Sequence, residues 1–204
     1  MNRLVLFDFD GTLTTEDSLK KFLLFYHGFT KVFIGLVILS PILIGYLLKI
    51  VSNNVAKEIL MQWFFRNEPF EKFTAKCHQF ALREIQKILR TEASILINQY
   101  KSNGDIVVVV TASPENWVGP WCSQQNIQCI GTRLSLRNNR LTGEFDGENC
   151  YGPEKARRIK ALFNLKDFSE IIAYGDSRGD KEMFELSTKH YYRNFPVNDT
   201  RGSQ

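Results

Sequence analysis

The sequence predicts an α/β protein, a doubly wound (Rossmann-like) parallel sheet with an all-helical insertion after its first strand. Short apolar runs at residues 3–7, 105–110 and 169–174 each end on polar residues, and amphipathic stretches lie between them. That is the alternation a βαβ sheet requires. A helical pattern without strands fills residues 15–90 and interrupts this alternation once. The 204 residues, 44% hydrophobic and 24% charged, suit one packed core with an insertion and exclude wholesale disorder.

Residues 3–7 (Arg-Leu-Val-Leu-Phe) read as a strand ending at Asp8; a strand buried on both faces is apolar throughout rather than alternating. Residues 15–90 are expected as a helical cap, residues 1–14 and 91–195 as the discontinuous core, and residues 196–204 as a loose tail. Within the cap, residues 32–48 carry no charge and are flanked by Lys31 and Lys49. As a helix these seventeen residues would rise about 25 Å, short of a ~30 Å hydrocarbon core, and Pro41 would kink or split them. A single crossing would put Asp8 on one side of a membrane and every later motif on the other. The run is therefore expected as a buried cap core, a helical pair broken at Ser40-Pro41, or an interfacial element that returns to the same side. In the interfacial case Lys20, Lys21, Lys31, Lys49 and Lys57 are expected near anionic head groups, a peripheral membrane contact through the cap. Trp63, Phe64 and Phe65 are expected to pack the cap.

Beyond the insertion, residues 105–110 form the second expected strand, residues 127–130 a shorter one, and residues 169–174 another ending at Gly175-Asp176. Helices are expected over 116–125, 153–163 and 181–186. Residues 132–145 alternate polar and apolar around Asn138-Asn139, the pattern of a β-hairpin. The net charge of +4 is too small and scattered to make nucleic acid the expected partner. Four cysteines (77, 122, 129, 150) form no C-x-x-C pair and three histidines (27, 78, 190) lie far apart, so neither a zinc site nor a disulfide framework is expected. Residues 4–7 are too short an apolar run for a secretory signal and lead directly into acids, which points to a reducing, cytoplasmic setting.

Ligands of an open parallel sheet sit at the carboxyl ends of its strands, and those ends here carry Asp8 and Asp10, Thr111, and Asp176. Asp8 and Asp10, two apart, would share a face, with Gly11 permitting a sharp turn. Clustered acids repel one another unless a hard cation intervenes; Mg²⁺ takes carboxylate oxygens together with water and phosphate. Asp176 and Asp180, four apart, would reach that ion directly or through water. Ser113 competes with Thr111 as a phosphate contact, and Thr111 is preferred because it follows the apolar run at once. Lys155 sits in a basic run, yet its place two residues after Gly152-Pro153, near a helix start, favours the site over a solvated face.

Asp8-Phe-Asp-Gly-Thr-Leu13, a strand ending in Thr111, Lys155, and Gly175-Asp-Ser-Arg-Gly-Asp180 resemble, in order, the four motifs of the haloacid-dehalogenase-like hydrolase superfamily. The helical insertion resembles the C1 cap of its phosphoserine-phosphatase-like branch. The apolar cap run, Thr111-Ala-Ser-Pro114 and Gly152-Pro-Glu-Lys155 look most like the phosphatidylglycerophosphatase C group. The resemblance implies Asp8 as nucleophile and Asp10 as acid and base. It implies Thr111, the N–H of Ala112 and Lys155 as holders of the phosphoryl oxygens, and Mg²⁺ bound by Asp8, the carbonyl of Asp10 and Asp176, with Asp180 behind them or water-bridged. The implied activity is a Mg²⁺-dependent phosphatase working through an aspartyl-phosphate. Its substrate would be a lipid phosphate such as phosphatidylglycerophosphate, met at the inner face of the membrane, or a small soluble phosphomonoester of the phosphoserine kind. Phosphoserine phosphatases usually carry Ser-Gly-Gly where this chain has Thr111-Ala112-Ser113. A non-catalytic Mg²⁺- or phosphate-binding protein is the reading outside enzymology.

Overall fold

The first apolar run forms β1 (Leu4–Phe7), every residue of it buried, in the computed structural model, which describes residues 2–195. It is the central strand of a five-stranded parallel sheet. On one side lie β2 (Ile106–Pro114) and then β3 (Gln128–Thr132); on the other lie β6 (Ile171–Gly175) and then β7 (Lys189–Tyr192). Leu4 pairs with both Ile106 and Ile171, so the carboxyl ends of β1, β2 and β6 open at one edge. The strand order reverses beside β1, which makes that edge the crevice of a doubly wound sheet. The two-residue period sends Val5, Phe7, Val107 and Val109 into one apolar cluster and Leu4, Leu6, Val108 and Val110 into a second on the opposite face.

The residues between β1 and β2 are helical. α1 (Ser18–Ile38), α2 (Ser40–Leu47), α3 (Asn53–Phe65) and α4 (Phe70–Phe80) follow one another, and α4 runs through a π-turn at Ala81–Ile85 into α5 (Gln86–Ile88). The chain leaves and re-enters the sheet layer side by side: Thr15 N–H donates to the Ile88 carbonyl at 2.8 Å and Arg90 N–H to that of Leu13 at 2.9 Å. α6 (Thr91–Ser102) then leads into β2. The uncharged run is a helical pair whose break falls at Leu39, one residue before Ser40-Pro41; Pro41 stands at the first turn of α2, where its missing N–H costs nothing. A second break lies inside α1, where Gly28 adopts φ 75° and ψ 166°.

The first half of α1 buries Phe22, which stacks on Trp117 at 4.5 Å and meets Phe73 and Phe80 edge-on at 5.6 and 5.2 Å. Such aromatic pairs contribute about 0.5–1.5 kcal/mol each beyond their area. This cluster is continuous with one apolar face of the sheet. Of the three aromatics expected to pack the insertion, Phe64 and Phe65 are buried in this cluster. Trp63, on the outer side of α3, remains half exposed.

The other helices are α7 (Glu115–Gln124), α8 (Pro153–Leu162) and α9 (Lys181–Leu186). β4 (Leu134–Arg137) and β5 (Arg140–Phe145) form the expected hairpin, with Asn138 and Asn139 both at positive φ (52° and 58°) as a type I′ turn requires. The hairpin is tied to α3, since Phe145 N–H donates to Glu58 Oε1 at 2.9 Å. β2 extends four residues beyond the expected end at Val110, which places Thr111 inside the strand. β7 has no counterpart among the expected strands, because as an edge strand its residues Lys189-His-Tyr-Tyr192 are largely exposed and present no apolar run. The expected tail at 196–204 lies outside the described residues.

Candidate active site

β1 delivers Asp8 to the carboxyl edge of the sheet, where its N–H donates to the Tyr174 carbonyl of β6 at 2.9 Å. The chain then turns at Gly11, whose φ of 80° disfavours any side chain. A Cβ at Gly11 would also stand 2.5 Å from Asp176 Oδ2, so glycine lets the first loop approach the loop after β6. Asp8 and Asp10 do not share a strand face, as β1 ends at Phe7; Asp10 reaches the same cavity from this loop, at φ −74° and ψ 123°.

That cavity, about 370 Å³, is lined by Asp8, Asp10, Thr111, Ala112, Lys155 and Asp176. Four separate segments thus meet at one place, and of the catalytic, phosphate and metal residues expected from the sequence Asp180 alone lies behind the wall. Pro153 starts α8 with a pre-set φ and brings Lys155 in its first turn to the acids. The Lys155 ammonium is buried and donates to Asp8 Oδ1 at 2.5 Å and Asp180 Oδ1 at 2.7 Å. Asp180 Oδ2 accepts from the N–H groups of Asp176 (3.2 Å) and Ser177 (3.0 Å) and from the Ser177 hydroxyl (3.0 Å). Both oxygens of Asp180 therefore hold protein groups: one orients Lys155 and the other shapes the loop that carries Asp176.

Thr111 is buried, and its hydroxyl accepts from Ser113 N–H at 3.0 Å. The Ala112 carbonyl accepts from Thr132 Oγ1 at 2.9 Å and from Lys57 Nζ at 3.3 Å. Ser113 is engaged elsewhere: its hydroxyl donates to Asp10 Oδ2 at 2.5 Å and lies 3.1 Å from Ser18 Oγ. Ser18 N–H, in the first turn of α1, donates to Asp10 Oδ1 at 2.6 Å, and Trp117 Nε1 donates to Ser18 Oγ at 3.2 Å. Asp10 is thus held from the helical insertion and from β2 together. Ser18 escaped the sequence reading although Asp17-Ser18 ahead of an apolar helical pattern is an N-cap signal; Asp17 does cap α1, accepting from Lys20 N–H at 2.9 Å. Lys57 departs from expectation more clearly. Instead of facing outward with the other lysines, its ammonium enters the cavity from α3.

Burial raises the Asp8 carboxyl to about 7 against the opposing pull of Lys155, with the Asp180 charge adding to the rise. Burial and then the Asp17 charge raise Asp10, while the hydrogen bonds from Ser113 and Ser18 act the other way. Burial also works against the Lys155 charge, but Asp8 and Asp180 together hold the ammonium above the usual lysine range. Lys57 is lowered by burial, only partly offset by Asp10 and Asp17. Asp176 is raised by burial and by Asp180.

Asp8, Asp176 and Asp180 can each present a carboxylate oxygen within 4.8 Å of the others. Three acids beside one ammonium leave a surplus of negative charge, and Asp176 spends only its backbone on hydrogen bonds among the described residues. An all-oxygen, acid-rich set of this kind suits a hard divalent cation such as Mg²⁺. The Asp10 carboxylate stands outside the set because Ser18 and Ser113 occupy it, so any share of Asp10 in a metal site falls to its backbone carbonyl.

The profile of the haloacid dehalogenase-like hydrolase family matches residues 5–185. The chain belongs to this family. Protein CicA of Caulobacter vibrioides, a relative, is 34% identical over 194 residues, which cover 94% of this chain and 86% of CicA. A probable phosphatase of Mycobacterium tuberculosis is 34% identical over 104 residues, half of this chain and 36% of that protein. Among solved structures, a Bordetella pertussis protein of unknown function superposes with a TM-score of 0.81 at 22% identity, covering 94% of this chain and 90% of that one. Substrate-bound phosphoserine phosphatase superposes at 0.66 and 19% identity, covering 93% and 85%. These superpositions show that the chain shares its fold with both structures.

Proposed function

We propose that this hydrolase is a Mg²⁺-dependent phosphatase that cleaves a phosphomonoester through an aspartyl-phosphate on Asp8. The observation that carries the reading is the pairing of Lys155 with Asp8 at 2.5 Å on the floor of a cavity, with a second carboxyl, Asp10, held separately and raised in pKa. Two acids in unlike environments suit a nucleophile and an acid–base group. An Asp8 oxygen attacks phosphorus, the ester P–O bond breaks, and Asp10 gives its proton to the departing alkoxide. Asp10 then takes a proton from water, which attacks the same phosphorus, breaks the bond to Asp8 and releases phosphate. Lys155, the Thr111 hydroxyl and the Ala112 N–H hold the phosphoryl oxygens. Asp8, the Asp10 carbonyl and Asp176 would hold Mg²⁺, with Asp180 acting through Lys155 and the Asp176 loop. When bound, the ion supplies positive charge that offsets the burial of Asp8 and steadies the charge developing on phosphate.

Residues 15–90 are proposed to act as a cap over a core formed by residues 1–14 and 91–195, with Ser18 holding Asp10 and Lys57 entering the cavity. The proposed substrate is a lipid phosphate such as phosphatidylglycerophosphate, handled at the cytoplasmic face of a membrane. Its support is the apolar part of the lining, where Leu19, Leu43, Ala56 and Leu60 stand opposite the acids. A small soluble ester of the phosphoserine kind is favoured by a different feature, since Lys57 and Asp17 both line the cavity and match a carboxylate and an ammonium on one substrate. Phosphate release from lipid micelles and from O-phosphoserine, measured in parallel with Mg²⁺ or with EDTA, tests both. Turnover that EDTA abolishes is expected, with the lipid preferred; turnover indifferent to EDTA would refute the metal, and turnover of phosphoserine alone would refute the lipid.

A further inference from the structure

The second half of α1 and all of α2 form an arm unlike the rest of the surface. Beyond Gly28 the side chains of Val32 and Leu39 pack inward with Phe64 in the apolar core, whereas Phe29, Leu47 and Ile50 are 74%, 75% and 78% exposed. No residue of α2 is buried. An apolar surface spread over two consecutive helices is not the solvated face of a water-facing helix. Charge follows the same pattern: residues 18–57 contain five lysines and no acid. Of these, Lys21 pairs with Glu16 and Lys57 enters the cavity, which leaves Lys31 and Lys49 exposed on the arm and Lys20 exposed at the start of α1.

By length and composition α1 could cross a bilayer, but its first half is committed to the core through Phe22 and to Asp10 through Ser18. The ten residues after Gly28 rise about 15 Å and the eight of α2 about 12 Å, each well short of a ~30 Å hydrocarbon core. Short apolar helices bordered by lysines and free of acids fit the interfacial layer of an anionic membrane, where the apolar side chains enter the acyl boundary and the ammonium groups stay among the phosphates.

α2 also lines the cavity. Leu43 and Tyr46 line it together with the acids, while Ile44 and Leu47 on the same helix are exposed. We propose that the arm seats in the surface of an anionic bilayer and that the cavity takes its phosphate ester from that surface, with α2 as the shared wall. The seating stands on its own; the route of the ester rests on the phosphatase reading above.

Flotation of the full chain with phosphatidylcholine vesicles, with and without about a third phosphatidylglycerol, tests the seating, against a Phe33→Asp, Leu47→Asp double variant. Both substituted side chains are exposed and neither lines the cavity, so hydrolysis of p-nitrophenyl phosphate is expected to be unchanged. The wild-type chain is expected to float with the anionic vesicles and the variant to lose at least about tenfold in partitioning. A lipid phosphate embedded in those vesicles should then lose turnover in the variant, while its short-chain analogue below the micelle concentration should not. Wild-type protein left in the soluble fraction overturns the seating, as does a variant that floats equally well. Concentration-dependent self-association that the two substitutions abolish, without flotation, would assign the face to a second copy instead. Flotation without hydrolysis of any ester would refute the phosphatase reading and leave the seating intact, whereas equal loss on embedded and short-chain ester would refute only the route.

Discussion

Asp10 is gripped by Ser18 from the insertion and by Ser113 from β2, and its proton affinity is set by neighbours that can be removed singly. Burial and the Asp17 charge favour its neutral form; the Ser113 hydrogen bond favours the carboxylate. Because the first step needs Asp10 protonated, turnover falls on the alkaline side as Asp10 ionises. Asp17→Asn removes a like charge, lowers the Asp10 pKa and should move the alkaline limb of kcat to lower pH. Ser113→Ala removes support for the anion and should move the limb to higher pH. Shifts of both variants in the same direction would contradict the arrangement. Lys57→Met is expected to raise KM for an ester with a second anionic group by about tenfold and to leave kcat within about twofold, since its ammonium lines the cavity and bonds the Ala112 carbonyl rather than the Asp8 or Asp10 carboxylate. The meeting of Asp8, Thr111, Lys155 and Asp176 in one cavity was legible in the sequence, because each follows directly on an apolar run or a helix-start signal. The roles of Ser113 and Lys57 were not: Ser113 stood in the sequence as a rival phosphate contact, whereas it meets Asp10 across 103 positions through the pairing of β1 with β2, and Lys57 lies 55 positions from the carbonyl it contacts, which depends on how the insertion folds back.

The loop after β1 and the helix α1 each hold a conformation with a measurable consequence. Gly11→Ala places a Cβ at positive φ and against Asp176, which should cost about 1–3 kcal/mol and weaken Mg²⁺ binding, seen together by thermal unfolding and metal titration. In α1, burial with help from the Lys31 charge lowers His27 to about 4. An unfolded histidine titrates near 6.5, so between about 6.5 and 4 the unfolded chain binds more protons and the folded state loses stability as pH falls. The midpoint of thermal unfolding should therefore drop across that window, and His27→Gln should flatten the drop; an equal slope in the variant would refute it. Elements buried on both faces were readable as apolar runs, which is why β1, β2 and β6 were anticipated. β7 was not, since an edge strand needs no such run. α6 places Ala93, Leu96, Ile97 and Tyr100 on one buried face, a helical signature that merges with the insertion before it.

At the scale of the molecule, the sheet gathers Asp8, Thr111 and Asp176 on one edge, α8 adds Lys155, and the insertion contributes Ser18 against Asp10 and Lys57 to the cavity wall. The same insertion turns an apolar, acid-free arm outward. A sheet order of this kind follows from alternating sequence patterns, whereas the seating of the helices over the crevice rests on aromatic contacts such as Phe22 on Trp117, which join parts of the chain far apart in sequence. The central claim is that the bond to phosphorus passes through Asp8. Its most direct test is to mix the protein with Mg²⁺ and a ³²P-labelled phosphomonoester that it hydrolyses, quench in acid during turnover, and map the labelled peptide. Label on the peptide containing Asp8, labile to hydroxylamine and absent from Asp8→Asn, is the predicted result. Turnover without covalent label, or with Asp8→Asn as active as the wild type, would contradict the account.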